Sequence, residues 1–177
     1  WCQELWLKLR QRSQQEEIKA IVFTGLSDGS GCTSTAAIFS IYLAVRIQKK
    51  VLALDLNTRS PGLKRFFNVD DNTLLADVMD TSSIGKADTF ESLKQNLAVV
   101  INDSDSASNG NSWLESEILE KFIEKARDGF DFIIFDTGHV TQSIETRLLC
   151  AKADAVIIVA SAGESRKSVA LRVKDEL

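Results

Sequence analysis

The sequence has little of what metal or redox chemistry requires. Its 177 residues hold three cysteines, Cys2, Cys32 and Cys150, with no metal-type spacing among them. A sparse, odd set reads as reduced thiols in a cytoplasmic setting. His139 is the only histidine, which argues against a structural zinc site. No apolar run approaches the ~18 residues a membrane span needs, and no secretory signal opens the chain. The chain begins at Trp1 rather than a methionine and so reads as a piece of something longer, with an upstream membrane segment left open. Basic excess is missing too. A net charge of −4 and a pI near 5.1 argue against a dedicated nucleic-acid binder.

What is present is an alternation of short apolar runs with longer helical ones. Ile21–Thr24, Val51–Leu54, Leu97–Ile101, Phe132–Phe135 and Ala155–Ala160 are nearly continuous in apolar residues. Strands buried on both faces of a parallel sheet have this appearance. Helical patterns lie at Thr33–Ile47, Glu115–Ala126 and Ser143–Ala151. The first ~12 residues, with Trp1, Leu5, Trp6 and Leu9, form an amphipathic helix whose apolar side needs a partner, either the domain or another subunit. Asp103–Ser112 contains only Ser, Asp, Asn, Ala and Gly and reads as a loop. Strand–helix alternation predicts right-handed βαβ units in one α/β domain with a doubly wound, mostly parallel sheet. Its ligand should sit at the carboxyl ends of the strands.

The turn after the first strand runs Thr24-Gly25-Leu26-Ser27-Asp28-Gly29-Ser30-Gly31-Cys32-Thr33-Ser34-Thr35. A glycine-rich turn entering a helix can fold its N–H groups around an anion. A phosphate loop reads Gly-x-x-x-x-Gly-Lys-Ser/Thr. Gly31-Cys32-Thr33 takes the Gly-Lys-Thr place, so the lysine is missing. Other readings compete. Gly25-Leu26-Ser27-Asp28-Gly29 fits a nucleophile elbow that would need His139 as base. The glycines at 25, 29 and 31, with Asp55 to hold a ribose, suit a dinucleotide-binding oxidoreductase, although Tyr42 is the only tyrosine and lies in an apolar helix. A ligand-free connection is the plainest reading.

Three motifs in order sharpen the choice: Asp28-Gly29-Ser30-Gly31-Cys32-Thr33-Ser34, then Asp55-Leu56-Asn57-Thr58-Arg59-Ser60-Pro61, then Phe135-Asp136-Thr137-Gly138. Together they resemble the bacterial protein-tyrosine kinases of capsule and exopolysaccharide synthesis, relatives of the MinD and ParA ATPases, across nearly the whole chain. The opening Glu4-Leu5-Trp6-Leu7-Lys8-Leu9-Arg10 is similar to that family's ring-assembly helix, with Leu7 replacing an arginine. The departures are Cys32 for lysine, Asn57 for a second acid, and the loss of two prolines after Asp136.

The resemblance implies a single phosphate-loop domain over 1–177, with 1–17 as an N-terminal helix and oligomerisation segment. It implies nucleotide contacts from Gly29, Ser30, Gly31, Cys32, Thr33 and Ser34. Thr33 and Asp136 would hold Mg²⁺; Asp55, Asn57 and Asp136 would be catalytic; Glu4 and Arg10 would make oligomer contacts. Arg59 is a candidate for replacing the lost charge. Cys32, at a helix N-terminus, is read either as a reactive thiol or as a small neutral filler. ATP or ADP with Mg²⁺ is expected to bind weakly or not at all. The implied setting is the cytoplasmic face of a bacterial membrane. The implied partner is a polysaccharide co-polymerase or export protein, or the chain's own membrane-anchored region. The expected role is regulation of polysaccharide synthesis by a degenerate kinase, with a working MinD/ParA-type switch as the alternative.

Overall fold

Every residue of the first strand, β1 (Ala20–Gly25), is buried, as are all those of β2 (Val51–Asp55). The remaining strands are β3 (Leu97–Ile101), β4 (Phe132–His139) and β5 (Ala155–Val159). They form one parallel sheet in the order β3-β2-β4-β1-β5. The chain steps from β1 to β2 and outward to β3, then returns to insert β4 between β2 and β1. Parallel neighbours need long crossovers, usually helical, which accounts for the helical patterns between the strands. The computed structural model describes residues 1–13, 17–57, 62–68, 96–101, 117–141, 143–161 and 167–176. Arg59, Pro61 and the loop at 103–112 lie outside them.

Alternation along the strands divides the core into two layers. Ile21, Phe23, Val51, Ala53 and Ile134 face one side, and Ala20, Val22, Leu52, Leu54, Ile133 and Phe135 face the other. The first layer is covered by α1 (Cys2–Arg12), α2 (Cys32–Ile41) and α3 (Leu63–Phe67), through Leu9, Phe39 and Leu63 among others. The second is covered by α4 (Glu117–Gly129), α5 (Ile144–Lys152) and α6 (Lys167–Glu176), through Leu119, Leu149 and Val173. Phe23 and Phe39 pack with ring centroids 5.8 Å apart. Burying each such ring contributes about 1.5–3 kcal/mol. The expected doubly wound α/β architecture is therefore present.

The details depart from the sequence pattern in four places. The N-terminal helix, expected over 1–17, ends at Arg12, where the Ser13 N–H closes on the Leu9 carbonyl. Its apolar side is taken by the domain itself: Leu9 is buried and Trp6 meets Phe132 edge-on at 5.6 Å. The helix expected over 33–47 stays α-helical only to Ile41, then widens into a π-helical turn over Tyr42–Arg46. There Ile47 N–H reaches back to the Tyr42 carbonyl, and Gln48 follows with φ 59°. β4 runs four residues past its apolar core to His139, because its end follows β1 closely. Finally, α3 and α6 carry too short or too polar a pattern to stand out beforehand.

Candidate phosphate-loop site

The loop from Ser27 to Gly31 turns at the carboxyl end of β1 and enters α2. Gly29 and Gly31 adopt φ of +70° and +81°, and a Cβ on either would touch nothing within 4 Å. Glycine is therefore needed here for backbone shape rather than for space. Gly31 precedes the first turn of α2 and leaves the N–H groups of Cys32, Thr33 and Ser34 without intrahelical partners. This end of α2 opens on a cleft of about 510 Å³ lined by the loop, Asn57, Gly62, Arg65, Phe66 and the Thr137–His139 end of β4. All six residues expected to contact nucleotide line it.

Cys32 does not replace the lysine chemically. Its thiol turns inward and donates toward the Thr137 carbonyl at 3.8 Å. Burial, and then the Asp136 carboxylate, push its pKa far above the ordinary thiol value. The side chain is a neutral filler, and the reactive-thiol reading fails for this physical reason.

Two carboxylates stand side by side beneath the loop. Asp55 ends β2, Asp136 lies in β4, and the two are register partners. Both are 0% exposed. Asp55 accepts hydrogen bonds from the N–H groups of Asn57 (3.2 Å), Gly62 (2.7 Å) and Leu63 (2.8 Å). It thus fastens the start of α3. Burial raises its pKa, and those three N–H groups pull it back down. Such a carboxylate is already occupied, which removes the oxidoreductase reading in which Asp55 holds a ribose. Asp136 is the reverse case. Neither of its oxygens has a hydrogen-bond partner. Burial pushes its pKa up to about 7, aided by the charge of Asp55; Thr33 and Cys32 beside it favour the charged form, without completing normal hydrogen bonds.

The end of β4 is tied to β1 by two hydroxyls. Thr24 Oγ1 donates to the Gly138 carbonyl at 2.7 Å, and Thr137 Oγ1 to the Phe23 carbonyl at 2.9 Å. His139 ends the strand and pairs through Nε2 with Asp28 Oδ1 at 2.7 Å. The nucleophile-elbow reading fails on this geometry. The histidine is engaged with Asp28 rather than Ser27, and α2 starts only at Cys32. Tyr42 stacks on Phe39 at 6.3 Å, partly buried against the first layer.

Glu4 and Arg10 lie on the exposed side of α1, with the Arg10 guanidinium 5.9 Å from the Trp6 ring centroid. They are not part of the cleft. The sequence pattern did not pair Asp28 with His139 and did not single out Arg65 or Phe66. Thr137 carried a signal as part of the third motif, and Gly62 because it comes soon after the Asp55 motif. A Cβ at Gly62 would lie 2.6 Å from Thr33 Cγ2, so α3 packs directly on the start of α2.

No cluster of three or more metal-ligating side chains occurs among the described residues. A bound cation would rely on Thr33, Asp136, phosphate oxygens and water. The residues present fit Mg²⁺ with a phosphate: a buried carboxylate without a partner adjoins a hydroxyl, below an open loop of N–H donors.

Comparison with known proteins agrees with this geometry. The AAA domain family matches residues 18–168. The tyrosine-protein kinase CpsD of Streptococcus pneumoniae is 28% identical over 163 residues, covering 92% of this chain and 71% of that protein. The kinase domain of the Escherichia coli tyrosine kinase ETK has a TM-score of 0.81 at 18% identity, covering 99% of this chain and 68% of that one. The septum site-determining protein MinD of Pyrococcus horikoshii OT3, complexed with Mg-ADP, has a TM-score of 0.68 at 20% identity, covering 90% and 66%. The two structures share the fold: a parallel sheet of the tyrosine-kinase and MinD/ParA type. With a phosphate-loop turn at the head of this sheet and a family match over most of its length, the chain belongs to the AAA domain family, and bacterial tyrosine-protein kinases are among its relatives.

Proposed function

We propose that this chain is a degenerate kinase-like domain that regulates capsular or exopolysaccharide synthesis, retaining weak nucleotide binding with little or no ATP hydrolysis. The observation that carries this reading is the pairing of an intact backbone cradle with a neutral, inward-turned thiol at Cys32. Loop N–H groups at Gly29–Ser34 would hold the phosphates. Thr33 and Asp136 would hold Mg²⁺, which supplies charge neutralisation on the phosphate oxygens when bound. Asn57 lines the cleft but carries no charge, so it can orient water or phosphate and cannot act as a base.

Phosphoryl transfer depends on positioning and on charge placed where it develops. Losing one comparable electrostatic donor typically costs about 10²–10³ in rate. The domain therefore acts chiefly through protein contacts. Its partner is a membrane polysaccharide co-polymerase or export protein, or its own membrane-anchored region, at the inner face of the membrane. No helix among the described residues is long and apolar enough to cross a membrane, so anchoring would come from outside them. The exposed side of α1, with Glu4 and Arg10, is the proposed self-association surface, since Leu9 and Trp6 on its other side are engaged with the domain.

Calorimetry and phosphate release with ATP and Mg²⁺ test the proposal. The wild type should bind weakly and turn over barely, and Cys32→Lys should raise ATP affinity by about tenfold or more, as expected of a regained charge-assisted contact. Tight binding with clear turnover, unchanged by Cys32→Lys, would instead make the chain a working nucleotide switch.

A further inference from the structure

Once Cys32 is neutral, the cleft has lost the cation of its own loop. Among the described residues its lining contains one side chain with a permanent positive charge, Arg65. The other titratable base there, His139, is engaged with Asp28. Arg65 is exposed and makes no ion pair or hydrogen bond within the described structure. An arginine on a phosphate-loop cleft with its five donors unused is ready to bind a phosphate group.

Its position is held from below. Asp55 accepts from the N–H groups of Gly62 and Leu63 at the start of α3, Gly62 abuts Thr33, and Leu63 (0% exposed) and Phe67 (8%) anchor the helix in the first core layer. These contacts fix the backbone that carries Arg65 against the head of α2. An acid expected to serve catalysis thus acts here as the fastening that presents a cation.

The geometry points to Arg65 as the phosphate-binding cation of this site, taking nucleoside di- and triphosphates with Mg²⁺ from the α3 side of the cleft. This inference rests on the nucleotide-binding part of the proposed function. Arg65 approaches across the cleft rather than from within the loop. It can neutralise a bound phosphate without occupying the lysine's place, so binding persists while hydrolysis stays slow.

The test is the affinity of the whole chain for ADP and ATP with Mg²⁺, with adenosine as the uncharged control. Arg65→Gln should weaken both nucleotides by about ten- to a hundredfold, as loss of a hydrogen bond to a charged group does. Adenosine binding should not change. Arg65→Lys should recover part of the affinity, and Cys32→Lys in the Arg65→Gln background should restore it by supplying charge from the loop. Unchanged thermal unfolding of Arg65→Gln would show that the loss is not structural. If the wild type binds ATP and Arg65→Gln binds it equally well, the role of Arg65 is overturned while the proposed function stands. If neither the wild type nor Cys32→Lys binds nucleotide, the phosphate-site reading itself is overturned.

Discussion

The end of β2 and the neighbouring stretch of β4 each carry one buried carboxylate, in register and equally withdrawn from solvent. Asp55 is fully employed by backbone N–H groups; Asp136 has none. The difference lies in the path of the chain beyond each carboxylate. After β2 the backbone folds back through Gly62 and Leu63 onto the side chain it has just left. After Asp136, β4 continues alongside β1 and spends its hydrogen bonds on that strand. One acid has become structural, and the other is kept in a state that only a cation or a proton relieves.

Substitution should separate them most sharply. Asp55→Ala leaves the Gly62 and Leu63 N–H groups buried without partners and should destabilise the fold by about 3–5 kcal/mol in urea unfolding. Asp136→Asn should instead stabilise the metal-free protein at pH 8, since it removes a buried charge that nothing compensates. Equal losses from both would erase the distinction.

The pH dependence of stability should reflect the same imbalance. Both carboxylates have raised folded-state pKa values, so the native state holds protons that the unfolded chain has released. Stability should therefore fall as pH rises from about 4 to about 7 and level off above it, by on the order of 2–4 kcal/mol. Below pH 4 both states are protonated, so the slope vanishes and the stability is fully present. Asp136→Asn should flatten most of the slope, and a slope that survives it would move the effect to Asp55.

A smaller effect probes the contact that joins the two regions. Gly62→Ala would drive a Cβ to 2.6 Å from Thr33 Cγ2. Relief of that clash should cost about 1–3 kcal/mol and weaken nucleotide binding through displaced Thr33 and Arg65. Full stability and affinity in this variant would show that α3 is not tightly docked.

The sequence exposed the sheet clearly because strands buried on both faces must be apolar throughout, as in Ile21–Phe23 and Phe132–Phe135. The phosphate loop was legible because the positive φ values at Gly29 and Gly31 demand glycine. What stayed hidden was set by tertiary contact. The split roles of Asp55 and Asp136 depend on where the chain goes after each strand, and identical residue types give no sign of it. The Asp28–His139 pair joins residues 111 positions apart, and Arg65 sits on a five-residue helix too short to produce a periodic signal.

The Gly62–Thr33 approach puts the head of α2 in direct contact with the start of α3. Close-packed atoms transmit a displacement instead of absorbing it. A ligand that draws the Thr33 hydroxyl toward itself would be expected to shift α3 and with it Phe66, which is 40% exposed on the rim of the cleft. Occupancy inside the domain would then be legible from outside as the tilt of an aromatic ring.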